Sequence, residues 1–189
     1  MSNESRNIDG YAIFATAIGE CGIAWANDRI VRLQLPEKNK TELLKRLTAP
    51  LGAAAKRQVC QSPPTPEIEE TIALVKRHLA GDLQDFQNVD IDIEWCPDFH
   101  QRVYRALRMV PAGKTISYGE LAAAAGSPKG SRAVGQAMAR NPVPLIVPCQ
   151  RVFKADGQLG GFSAYGAEKT KVRLLTIEKN ESIRQSCHV

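Results

Sequence analysis

At Pro97 the two-residue hydrophobic alternation seen over Val31–Leu35 and Val89–Trp95 ends and the second half of the chain becomes helical in pattern, and that change limits the fold more than any other feature. Before it, Val31, Leu33 and Leu35 alternate with Arg32 and Gln34, and Val89, Ile91, Ile93 and Trp95 alternate with Asp90, Asp92 and Glu94. A two-residue period turns one face of a strand inward and the other to water. Tyr11 to Ala17 and Gly22 to Ala26 also read as strands, with Asn27-Asp28 as a turn signal, so the chain opens as a hairpin or meander with one buried face. Helices are expected over about 40–47 and from Pro66, capped by Thr65, to Gly81, the second with Ile68, Ile72, Val75 and Leu79 as its stripe. The stretch from Ala53 to Pro66 between them is soft, rich in Ala, Pro, Gln and Ser.

Beyond Pro97 the apolar residues recur every three or four positions. Phe99, Val103, Ala106, Leu107 and Val110 line one helix face, which Pro111 and Gly113 end. Ser117-Tyr118-Gly119-Glu120 is a capping box, so a short helix starts at Ser117 and stops at Gly126. Ser131 to Arg140 reads as a second short helix, and two short helices joined by a glycine-containing turn suggest helix-turn-helix. A final helix runs from about Glu168 to Lys179 with Val172, Leu175 and Ile177 inward.

A chain of 189 residues can bury a real core, as one domain or two small ones. Its net charge of +5 fits a polyanionic partner without identifying one. The start, MSNESRNIDG, lacks the basic and apolar regions of a signal peptide, and no apolar run approaches ~20 residues; a soluble, cytoplasmic protein is expected. Cys21, Cys60, Cys96, Cys149 and Cys187 are odd in number and form no C-x-x-C pair, which argues against a disulfide framework and a structural zinc site. With His78, His100 and His188 as the histidines, a metal site would need distant positions, and none is expected.

Cys149 ends the apolar run Ile146-Val147-Pro148, just after the Pro-hinged stretch Asn141-Pro142-Val143-Pro144. Taken alone, such a cysteine is more often a buried inert thiol than a nucleophile. The helix before it carries small residues at positions expected to be exposed, Ala133, Gly135, Ala137 and Ala139, with Arg132 and Gln136 among them. Reading base edges in the major groove takes several long polar side chains, whereas small ones allow the close approach that the narrow minor groove demands. Tight packing in a core explains this helix equally well on its own.

The blocks Thr115 to Ala122, Ser131 to Met138, Asn141 to Pro144, Pro148-Cys149-Gln150-Arg151-Val152 and Gly160-Gly161-Phe162-Ser163, followed by Lys171 to Glu178, resemble in order and spacing the O6-alkylguanine-DNA alkyltransferases. The resemblance covers roughly residues 97 to 179. It implies an α/β ribonuclease-H-like domain over 1–95, a mainly α alkyltransferase domain with a winged-helix-like helix-turn-helix over 96–180, and a flexible tail over 181–189. The implied activity is single-turnover DNA repair: Cys149 accepts the alkyl group irreversibly, with Tyr118 aiding base flipping and donating to the leaving guanine, and no external cofactor. The implied partner is double-stranded DNA bound through the minor groove by a monomer, with Arg132 filling the base stack and Ala133, Gly135, Gln136, Tyr118 and Arg151 also at the DNA. Met138, Asn141, Pro144, Val152, Phe162 and Ser163 would shape the pocket, Asn141 ordering the turn before the cysteine, while Arg151 and Glu178 hold the cysteine segment to the last helix.

The family pattern has histidine after the cysteine, and this chain has Gln150; Phe162 stands where tyrosine is common. An amide donates and accepts hydrogen bonds but does not take up a proton near neutral pH. A general base contributes ~10²- to 10⁴-fold, so Gln150 is expected to slow transfer. Two other functions compete: a non-enzymatic protein that binds alkylated DNA, and a helix-turn-helix transcription regulator, which leaves the cysteine block and the Gly-Gly-Phe-Ser loop unexplained.

Overall fold

A computed structural model describes residues 7–51, 59 and 62–179. The expectations for the tail, for the first residues and for most of 53–61, with Cys60 and Cys187, lie outside the described residues. The chain opens with β1 (Gly10–Thr16), β2 (Gly19–Ala26) and β3 (Arg29–Gln34), an antiparallel sheet in sequence order. Asn27 and Asp28, both at positive φ (49° and 59°), form the tight β2–β3 turn whose twist matches the strands. Helix α1 (Lys40–Leu47) starts where the Asn39 side chain accepts the Glu42 N–H, and lays Leu43 and Leu47 on the sheet. Helix α2 (Pro66–Leu79) has Pro66 in its first turn and buries Ile68, Thr71, Val75, His78 and Leu79; Thr65 makes no side-chain cap.

The expected strand over 89–95 does not form. Val89, Ile91 and Ile93 are buried as their alternation requires, yet only Ile91 pairs, in a parallel bridge to Ile30. The Asp92 carboxylate accepts the Glu94 N–H and the Asp92 carbonyl accepts Trp95 Nε1–H, so a turn consumes the groups a ladder would use. Arg108 holds the segment from the other side, donating to the carbonyls of Phe86, Gln87 and Val89 at 2.7–2.8 Å.

Helix α3 (Asp98–Arg108) turns His100, Val103, Tyr104 and Leu107 inward, and the Tyr104 hydroxyl donates to the Ala137 carbonyl at 2.8 Å. The two-residue β4 (Ile116–Ser117) runs into α4 (Tyr118–Ala124), where Ser117 and Glu120 close the capping box. Gly126 at φ 76° ends the turn, and α5 (Ser131–Ala139) packs on α4 and α3. A short β5 (Val152–Phe153) pairs parallel with β4, and α6 (Ala167–Ile177) closes the structure. The buried face of α6 is Lys171, Leu174 and Leu175, continued by Glu178; Val172 and Ile177, expected inward, are half-buried. A small N-terminal sheet with helices is thus joined to a helical C-terminal part, and one hydrophobic core containing Phe14, Trp25, Leu33, Val75, Leu107, Val147 and Leu174 runs through both. The edge of β3 binds the second half directly, Leu33 N–H donating to the Pro142 carbonyl at 2.9 Å.

Candidate active site

Cys149 is reached through a tightly specified loop. Asn141 spans it, its amide donating to the Val147 carbonyl (2.8 Å) and its carbonyl accepting from Val143 N–H (3.1 Å). Inside that bracket Leu145 is buried at φ 77°, a left-handed conformation costly for a branched side chain and held by the surrounding packing. The cysteine sits at the start of a 3-10 turn, Cys149–Arg151, that leads into β5. The β4–β5 ladder pairs Ser117 with Phe153, so Tyr118, next after β4, is brought to the cysteine segment. Gly160 completes that approach: a Cβ there would lie 2.3 Å from the Tyr118 hydroxyl oxygen. Burial, and then the Cys149 thiolate, push the Tyr118 phenol above its ordinary value.

The Cys149 side of a pocket of about 220 Å³ is formed with Asn141, Pro144, Phe162 and Ser163. Met138 and Val152, expected to shape the pocket, do not line it: Met138 is in the core, and the Val152 carbonyl accepts from Lys171 Nζ at 2.6 Å. The first half contributes Arg32, Gln34 and Arg46 to the lining, which the sequence reading missed. Arg32 is fixed there by the carbonyls of Ala49 and Pro50 and lies 5.3 Å from the Trp95 ring centre.

Burial raises the Cys149 thiol above its ordinary range; the Asn141 amide, the Lys171 charge and the N–H groups of Cys149 and Gln150 pull against it. The resting group is therefore a thiol near neutral pH. Lys171 also went unread. Its ammonium is buried, 5.1 Å from the Phe153 ring centre, and burial brings it down to about 8 against the opposing pull of Cys149 and Glu168.

Behind the thiol lies a closed polar cluster. Glu178 accepts from Gln150 Nε2 at 2.8 Å and from Arg151 Nε and Nη2 at 3.0 and 2.9 Å, while Arg151 Nη1 donates to the Val110 carbonyl. Burial pushes the Glu178 carboxyl up, but the approach of His78 and the donors Arg151 and Gln150 outweigh it and hold the group at about 2. Arg151, expected at the DNA, is instead buried and committed to this ion pair. On α5, Arg132, Gln136 and Ala139 are exposed and Ala133 and Gly135 half-buried, whereas Ala137, expected outside, is fully buried against Tyr104. No group of His, Cys, Asp and Glu able to hold a metal occurs among the described residues, and no helix there is long and apolar enough to cross a membrane.

Fold and site together define a two-part protein with a helix-turn-helix pair and a buried, hydrogen-bonded thiol lining a pocket between the parts. Residues 98–180 match the family described as the DNA-binding domain of 6-O-methylguanine DNA methyltransferase. The chain is 34% identical over 171 residues to the constitutive methylated-DNA–protein-cysteine methyltransferase of Bacillus subtilis, covering 89% of this chain and 94% of that protein. It is 42% identical over 113 residues to a Mycobacterium leprae protein of the same name, a match that spans 59% of this chain and 66% of that one. Among solved structures, Mycobacterium tuberculosis OGT in complex with DNA is similar with a TM-score of 0.71, at 32% identity over 90% of this chain and 93% of that one. An O6-methylguanine-DNA methyltransferase from Pyrococcus kodakaraensis gives a TM-score of 0.67 at 27% identity, covering 89% and 98%. The chain belongs to the methylated-DNA–protein-cysteine methyltransferase family.

Proposed function

We propose that this protein repairs alkylated DNA by direct reversal, Cys149 taking a methyl or other alkyl group from O6 of guanine. The Sγ–carbon bond forms as the carbon–O6 bond breaks, the electron pair stays on the base, and the proton lost by the thiol is balanced by one gained by the released guanine. Attack at an sp³ carbon needs no oxyanion hole, so a placed sulfur and an apolar pocket suffice. The thioether product has no route back, so each molecule acts once. The observation that carries this reading is the pocket itself: in a chain of this family, a buried thiol lines it and is braced by Gln150, Glu178 and Arg151.

Several finer features belong to the same reading. The DNA is double-stranded, and α5 enters its minor groove with its small-residue face, Arg132 replacing the extruded base and Tyr118 assisting. Exposure of Arg132 and Gln136 beside half-buried Ala133 and Gly135 supports this. The N-terminal part, 1–95, is ribonuclease-H-like and the C-terminal part, 96–180, winged-helix-like; the antiparallel β1–β3 sheet and the short β4–β5 ladder beside α4 and α5 support those descriptions. The protein acts as a cytoplasmic monomer. Gln150, standing where the family has histidine, slows the chemical step, because it and the raised thiol leave no ready proton acceptor at the sulfur.

Peptide mapping after incubation with duplex carrying O6-methylguanine tests the assignment. Methyl is expected on Cys149, and Cys149→Ser should abolish transfer while retaining duplex binding. Methyl found on another cysteine, or lesion binding without transfer, would overturn it.

A further inference from the structure

Glu178 has a partner from the other half of the molecule. His78, fully buried near the end of α2, points Nε2 at Glu178 Oε1 from 3.5 Å, an electrostatic approach longer than a normal hydrogen bond. Its Nδ1 accepts the Gln84 N–H at 3.1 Å, so the neutral ring carries its proton on Nε2, aimed at the carboxylate. Phe86 packs on the ring at 5.1 Å between centroids, and the charged groups facing it are Glu178 and, across that carboxylate, Arg151. Among the described residues Nε2 has no hydrogen-bond partner, and neither has Gln150 Oε1 in the same cluster. Gln150 is tied to Glu178 by its side chain and addresses the thiol through its main-chain N–H. One path of contacts therefore leads from α2 to the sulfur: His78, Glu178, Gln150, Cys149.

We propose that His78 is a positioning residue for alkyl transfer, an imidazole whose Nε2 faces the Glu178 carboxylate and by which the N-terminal half completes the polar cluster behind Cys149. The imidazole that this chain lacks at position 150 is present on the far side of the same carboxylate. It takes no proton from the thiol, because Nε2 is already protonated and Nδ1 is occupied by Gln84. It faces the Glu178 carboxylate from the side opposite Gln150 and Arg151, and so fixes the group that orients Gln150, whose main-chain N–H favours the thiolate. As a role in alkyl transfer, this rests on the alkyltransferase reading.

The test compares His78→Asn with His78→Gln in the full chain. The shorter amide can still accept the Gln84 N–H but withdraws the donor from Glu178, whereas Gln places an amide N–H near the position of Nε2. His78→Asn should slow single-turnover methyl transfer about tenfold with duplex affinity kept, and His78→Gln should recover most of that loss. The pH midpoint of Cys149 reaction with iodoacetamide should rise in the Asn variant and return in the Gln variant. Equal behaviour of both variants, or a rate lost with the melting temperature while the thiol midpoint stays put, would overturn the role. If wild type takes up no methyl, the alkyltransferase reading fails, and the iodoacetamide midpoints still decide whether His78 reaches Cys149. Where a variant does not fold, nitrogen-15 spectra of wild type decide: a His78 Nε2–H tautomer near neutral pH, shifted when Cys149 is alkylated, is expected, and an Nδ1–H tautomer contradicts it.

Discussion

Glu178 is almost wholly buried, and its ionised form is sustained by the donors Gln150 and Arg151 and by the approach of His78 from a separate segment. Its folded carboxyl lies at about 2 against an ordinary 4.5. A lowered carboxyl adds stability that is complete above the ordinary value and disappears as pH falls through the folded one. The window is therefore between about 4.5 and 2, and the amount is on the order of 3 kcal/mol. Glu178→Gln should lower unfolding free energy strongly at pH 7, because Arg151 is left buried without its counter-charge. Denaturant melts of both proteins should converge as pH approaches 2; a gap that stays constant down to that pH would refute the charge account. Histidine at 78 and lysine at 171 were harder to read, because each sits on an otherwise apolar face, Val75-His78-Leu79 and Lys171-Leu174-Leu175, and its partner lies far away in sequence.

At the scale of elements, local chemistry was the most legible. The capping box at Ser117, the Asn27-Asp28 turn and the α4–turn–α5 pair are specified by residues within a few positions of each other, and they form where the sequence places them. The strand over 89–95 fails for the opposite reason: its alternation correctly reports burial, but a ladder needs a partner edge, and Asp92 turns the chain after one bridge. Helix α3 packs its expected face on the core and buries His100 and Tyr104 as well, with a hydrogen bond from Tyr104 to α5 that no periodicity reveals. The loop 160–163 carries a sharper expectation. Gly160→Ala would drive a methyl into Tyr118 and should cost about 1–3 kcal/mol or displace the ring, lowering transfer. Gly161→Ala, with nothing within 4 Å, should have little effect, and equal losses in the two variants would disprove the steric reading. On α5, Arg132→Ala should impair repair of duplex far more than reaction with free O6-alkylguanine, because only the duplex imposes an unstacking cost of a few kcal/mol. Equal impairment on both substrates would remove Arg132 from base extrusion.

For the molecule as a whole, one hydrophobic core contains residues from both halves of the chain. The pocket shows why that matters: Arg32 and Gln34 from the sheet and Arg46 from α1 line it with Cys149 and Phe162 from the second half, where the Leu33 N–H also donates to the Pro142 carbonyl. The family blocks announced the cysteine and its carboxylate but could not show this contribution, which the fold alone brings together. A net charge of +5 predicts duplex affinity that falls as salt rises, with a log–log slope of about −0.9 per phosphate neutralised and little dependence on flanking sequence. The measurement that bears most directly on the central claim is a count of lesions repaired when O6-methylguanine duplex is in large excess over protein. Repair should stop at one lesion per protein molecule, with intact mass showing one added methyl on each chain. Continued turnover beyond that ratio, or lesions lost without a methyl gained by the protein, would contradict transfer to Cys149.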